Sequence, residues 1–164
     1  GNAANGLDFP GLNVDIKVTS VRQPQSSCPF RSIRQKIYGL GYGLLVFVYD
    51  KVDDDASRTA TLRITDAVFI ESGLTADFQM TKGLLEVLDA EGNEDDLSSF
   101  MASRHLTADE IELQQLASEI MTRRPVQGNL TTSPALQWRL QYGRALQKAG
   151  VVPGLRSIFK ATDQ

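Results

Sequence analysis

The sequence predicts an α+β chain in which a central mixed β-sheet is flanked by helices, with a helical C-terminal half. Three observations carry this expectation. Val14, Ile16 and Val18 alternate with Asp15, Lys17 and Thr19 just after a Pro10-Gly11 break, the period of a strand with one buried face. Leu44-Leu45-Val46-Phe47-Val48-Tyr49 is an almost continuous apolar run, as in a strand buried on both faces. Further along, apolar stripes at helical spacing follow capping signals. At 164 residues and 41% hydrophobic, the chain suits one domain with a real core. Residues 1–72 are expected to be mostly sheet and 73–164 mostly helical.

Taken in order, Pro10-Gly11 predicts a chain reversal, with Gly11 suited to the positive φ of a hairpin turn. If Gly11 and Leu12 form the loop, Asp8 lies across from Asp15, with Cβ atoms about 5 Å apart. Asp15 and Lys17 then point the same way, off the apolar face. Arg22 to Ser27 reads as a polar, proline-broken loop. Pro29 to Leu40 reads as a helix, with Phe30, Ile33, Ile37 and Leu40 inward and Arg31, Arg34 and Lys36 more exposed. Gly39, Gly41 and Gly43 follow that helix and do not have the spacing of a phosphate-binding loop. Asp50 to Asp55 lacks the glycine and closing glutamate of a calcium loop, and is expected to be a solvated turn. Arg58 to Ile70 supplies more strand, with Leu62, Ile64, Val68 and Ile70 as its apolar positions.

Thr81 to Ala90 is the next helix, ended by Glu91-Gly92-Asn93. Thr107 to Glu110 has the form of a capping box and starts a helix with Leu113, Leu116, Ala117, Ile120 and Met121 as its stripe. Pro125 stops it after Arg123 and Arg124, which favour the C-terminal dipole. Ser133-Pro134 is expected to open a last helix that Gly150 ends, with Trp138, Tyr142, Leu146 and Ala149 on its core side. Gln137, Arg139, Gln141, Arg144 and Lys148 occupy its other positions.

Composition narrows the function. No apolar run of some 18 residues is present, so no membrane span is expected, and Gly1 to Gly6 has no signal-peptide character. Cys28 is the only cysteine and His105 the only histidine, which excludes an intrachain disulfide, argues against a zinc site and fits a reducing cytoplasm. The net charge of −3 hides a strong asymmetry. Residues 1–49 carry a net +3, residues 50–112 a net −11 and residues 113–164 a net +5. A polyanion is therefore expected to meet the first and last thirds.

Two carboxylates facing each other across a hairpin repel unless a cation lies between them. Mg²⁺ suits that position, because it takes one or two carboxylates and keeps several waters. Lys17, one side chain along, could hold a phosphate oxygen or orient a water. This pattern points to metal-assisted phosphodiester hydrolysis.

Asp8-Phe9-Pro10 followed by Asp15-Ile16-Lys17 resembles the signature of the PD-(D/E)xK nuclease superfamily, type II restriction endonucleases in particular. Gln23 to Phe30 and Ala135 to Gly143 also resemble segments of restriction endonucleases. The resemblance implies a restriction-endonuclease-like core and a Mg²⁺-dependent, sequence-specific endonuclease acting on double-stranded DNA as a homodimer. It implies that Asp8, Asp15 and the Ile16 backbone carbonyl hold the metal and that Lys17 completes the catalytic set. Arg22, Gln23, Gln25, Ser26, Arg34, Gln137, Arg139 and Arg144 are the expected DNA contacts, since Arg and Gln pair best with guanine and adenine edges or hold phosphates. Leu7 replaces the family's proline at a position that holds no ligand. The family core has a helix before the first catalytic strand, whereas only Gly1 to Gly6 precede the motif here. A missing N-terminal segment or a second polypeptide is therefore expected to complete the fold. The rival expectations are a DNA-binding or scaffold module of the same fold without its chemistry, and a repair or junction-resolving nuclease.

Overall fold

The computed structural model describes residues 7–104, 109–133 and 139–162. In chain order the elements are β1 (Val14–Ser20), β2 (Gln25–Pro29), α1 (Ile33–Tyr38), β3 (Gly43–Asp54), β4 (Thr59–Ile70) and α2 (Phe78–Asp89). There follow α3 (Glu94–Ser103), α4 (Glu110–Thr122), β5 (Thr131–Ser133), β6 (Arg139–Gln141), α5 (Gly143–Lys148) and β7 (Leu155–Lys160). The main sheet has the order β1-β3-β4-β7. β1 runs parallel to β3, and the other two pairings are antiparallel. A parallel pair needs a crossover, which β2 and α1 supply. β2, β6 and β5 form a second, smaller sheet. The expected mixed sheet with flanking helices is what the chain builds. No helix among the described residues is long and apolar enough to cross a membrane.

The core lies on one side of the main sheet. Leu44, Val46 and Val48 of β3 and Val68 and Ile70 of β4 pack there against Leu130, Leu140, Tyr142 and Leu155. A second cluster joins α1, α2, α3 and α4 through Ile37, Leu84, Leu97 and Ile120. The opposite face of β3 is only half-buried, so the strand is not sealed on both sides as its composition implies.

The faces of β1 are the reverse of the expectation. Asp15 and Thr19 are buried, while Val18 is 64% exposed. Register explains this, because Asp15, Lys17 and Thr19 stand beside Leu44, Val46 and Val48, the core-facing residues of β3. The reversal before β1 is a 3-10 turn over Pro10–Leu12, and Asn13 rather than Gly11 takes the positive φ, at 55°.

Other elements depart from the expectation for identifiable reasons. Gln25–Pro29 is strand, because β6 offers it an edge, and α1 is cut to Ile33–Tyr38 between a Ser32 cap and Gly39 at φ 95°. Lys36 is only 7% exposed and faces Asp77; a lysine's long stem packs well in a helix seam. β3 runs on through Asp54 into a solvated hairpin with β4, where Leu62 and Ile64 are exposed rather than core. α3, which the sequence reading missed, starts in a reciprocal Asn93–Asp96 capping box. Asp109 caps α4, Thr107 lies outside the described residues, and Met121 is exposed rather than part of the stripe. No single helix runs from Ser133 to Gly150. Arg139, Leu140 and Gln141 take the period of a strand, with Leu140 buried, and α5 starts only after Tyr142. Tyr142, Leu146 and Ala149 are nevertheless core as expected.

Candidate active site

Phe9 and Val14 form an antiparallel bridge through Phe9 N–H to Val14 O at 3.1 Å and Val14 N–H to Phe9 O at 3.2 Å. That pairing places Asp8 opposite Asp15, the register expected from the sequence. The Asp8 amide donates to Asp15 Oδ1 at 3.3 Å, and the Ile16 amide donates to Asp8 Oδ2 at 2.9 Å. Lys17 Nζ lies 3.0 Å from Asp15 Oδ2. The three side chains therefore form one continuous group at the free edge of the sheet. In an extended strand the N–H and C=O of one residue leave on the same side. Because the Ile16 N–H meets Asp8, its carbonyl also turns toward that free edge.

Both members of the Asp15–Lys17 pair stay ionised. Burial pushes the Asp15 carboxyl up, but hydrogen bonds from Asp8 and Lys17 and the Lys17 charge together outweigh it and hold the group below its ordinary value. Burial likewise pulls Lys17 down, and the Asp15 carboxylate, helped by Cys28 and Tyr142, holds it above its ordinary value. Opposite charges in contact make such partial burial tolerable.

Sequence reasoning missed the residues around this pair. Lys17 Nζ donates to Cys28 Sγ at 3.6 Å. Tyr42 and Tyr142 stand close enough for Lys17 to act on their ionisation. Burial dominates at Tyr142 and pushes its phenol up to about 12. Its hydroxyl is sealed from water without a well-formed hydrogen bond, although Ser26 lies beside it. Cys28 on β2, Tyr42 just before β3 and Tyr142 between β6 and α5 come from three separate segments, and no local spacing connects them to Lys17.

The fit of a divalent cation can be judged from the donors. Asp8, on the segment bridged to β1, and Asp15 and the Ile16 carbonyl, on β1 itself, are hard oxygen donors, the kind Mg²⁺ prefers. No group of three or more His, Cys, Asp and Glu side chains placed to hold a metal ion occurs among the described residues, so the donors here are two carboxylates and a carbonyl.

The chain matches the family model described as Type II restriction enzyme NspV over residues 1–157. It is 58% identical over 160 residues to Type II restriction enzyme NspV from Nostoc sp., covering 98% of this chain and 73% of that relative. The chain belongs to the NspV family of type II restriction enzymes. No solved structure matches it.

In this NspV-family chain the other expected contact residues are dispersed. Arg22 and Gln23 are exposed on the turn after β1, and Gln25 opens β2. Ser26 is buried and accepts from the Cys28 amide at 3.0 Å. Arg34 is engaged elsewhere, its two terminal nitrogens donating to Glu119 at 2.7 and 2.5 Å to tie α1 to α4. Arg139 is half-buried on β6, and Arg144 lies over the Phe78 ring at 3.5 Å. Gln137 lies outside the described residues.

Proposed function

We propose that this chain is a Mg²⁺-dependent, sequence-specific double-stranded DNA endonuclease of the PD-(D/E)xK type, acting in the cytoplasm as a homodimer. The observation that carries this reading is the linked Asp8–Asp15–Lys17 group on an open strand edge. Two copies of that site would allow both strands of a duplex to be cut in one encounter. The relative's description as a type II restriction enzyme supports the reaction class.

Asp8, Asp15 and the Ile16 carbonyl hold the ion. When bound, a divalent ion would supply Lewis-acid stabilisation of the charge that develops on the phosphate oxygens. Lys17 is a cation next to the carboxylates, so it acts as a donor. Its ammonium holds a non-bridging phosphate oxygen or orients the attacking water for in-line displacement. Asp15 fixes the position of that ammonium through the 3.0 Å contact, and so serves both halves of the site. Arg22, Arg139 and Arg144 lie in the basic first and last thirds of the chain and favour the phosphate backbone.

Plasmid digestion with and without Mg²⁺ tests this directly. Discrete fragments should need the ion and disappear in Asp15→Ala, a loss of about three orders of magnitude if several kcal/mol of transition-state stabilisation goes with the carboxylate. Duplex binding by the variant should persist. Cleavage by Asp15→Ala at the parent rate would refute these roles.

A further inference from the structure

A lysine ammonium carries three N–H donors and no acceptor, on a flexible four-carbon stem. One ion pair fixes its distance to one oxygen and leaves it free to swing about that contact. In this chain a second strand restrains it. Lys17 Nζ lies 3.0 Å from Asp15 Oδ2 on β1 and donates to Cys28 Sγ on β2 at 3.6 Å. With two donors directed to separate strands, the third N–H has a single direction left for a phosphate oxygen or a water.

β2 is itself held against β1. Thr19 Oγ1 accepts from the Gln25 amide at 2.9 Å and donates to the Gln25 carbonyl at 3.0 Å. The Tyr142 amide donates to the Pro24 carbonyl at 2.8 Å, and the Cys28 amide donates to the buried Ser26 Oγ at 3.0 Å. Between Gln25 and Pro29 the register of β2 on β6 shifts, and Cys28 stands within that stretch. Such an irregularity bends a strand and re-aims a side chain, and it is frequent beside active sites. Sulfur is a weak acceptor. The contact therefore steers the ammonium without competing with a carboxylate or a phosphate for its charge.

We propose that Cys28 is a positioning residue for DNA cleavage, its sulfur giving the Lys17 ammonium a second anchor on β2 where Asp15 alone would leave it mobile. This rests on the nuclease reading and adds the group that aims its lysine. The reaction needs that accuracy, because a misplacement of about 1 Å can cost on the order of a hundredfold in rate.

The test compares the full chain with Cys28→Ala and Cys28→Ser on plasmid duplex in Mg²⁺. Cys28→Ala should slow single-turnover cleavage by about tenfold to a hundredfold, with the duplex Kd unchanged. Cys28→Ser, which returns an acceptor to the same position, should recover much of the rate. NMR relaxation of the Lys17 ε-methylene in the metal-free chain should show lost order in Cys28→Ala and regained order in Cys28→Ser. Cys28 is exposed, so the unfolding midpoint of Cys28→Ala should match the parent's; if it falls, Cys28→Ser and the order of Lys17 decide the matter. Cleavage by Cys28→Ala at the parent rate, equal slowing by both variants, slowing that comes wholly from weaker binding, or an unchanged Lys17 signal would overturn the positioning role alone. A parent that does not cleave in Mg²⁺ would overturn the nuclease reading and this role together.

Discussion

The two faces of the main sheet are built from alternate residues of the same strands, yet they have opposite fates. One face carries Asp15, Lys17 and Thr19 beside Leu44, Val46 and Val48, and it turns toward the core. The other carries Ile16 beside Leu45 and Val18 beside Phe47, continued by Phe69 opposite Leu45 and Ile64 opposite Tyr49. None of these outer-face residues belongs to either core cluster. On β1 the more apolar face is thus the outer one. Alternation in an edge strand says that its two faces differ, but the neighbouring strand decides which is inside. A charged pair can face inward because Asp15 and Lys17 neutralise each other and are hydrogen-bonded.

Adjacent leucines on β3 give the strongest test of this contrast. Leu44→Ala removes a fully buried side chain and should cost about 2–5 kcal/mol, read from urea unfolding. Leu45→Ala, one residue along on the half-buried outer face, should cost about 1 kcal/mol or less. Equal losses would mean that the outer face is as well packed as the inner one.

Thr19→Val probes the polar side. It keeps the shape of the side chain but removes the acceptor of the Gln25 amide, and should cost about 1–3 kcal/mol. The same variant should loosen the Arg22–Gln25 turn, which amide hydrogen exchange at Gln25 would report. Unchanged exchange would show that the turn does not depend on this hydroxyl.

The smallest effect is expected at Val18→Lys. With the side chain largely in solvent, stability should stay within about 0.5 kcal/mol of the parent. A loss of about 1.5–3 kcal/mol, the range for a buried valine, would show that another surface covers this face in the protein.

Much of the site was legible because it is local. Asp8 and Asp15 lie seven residues apart around one turn, and a period of two puts Lys17 on the side of Asp15. The turn itself was read less well, since Asn13 rather than Gly11 takes the left-handed conformation. The core strand Leu44 to Tyr49 and the stripe of α4 were also legible, the latter apart from Met121. The segment Arg139 to Gln141 was misread as helix, because a three-residue strand exists only through its pairing with β2 and β5. Arg34 read as a free basic side chain, since nothing nearby announces Glu119, 85 residues away.

By itself the sequence determined that two carboxylates and a lysine converge on one strand edge, that a buried strand follows, and that the basic charge is concentrated in the first and last thirds of the chain. These follow from short-range periodicity, turn chemistry and charge. Tertiary structure alone decided which face of β1 is inside, brought Cys28, Tyr42 and Tyr142 around Lys17, and joined Gln25 to Gln141 and Thr131 across the small sheet. Such contacts span large sequence separations, and a period-two pattern marks two faces without saying which one the rest of the chain will cover.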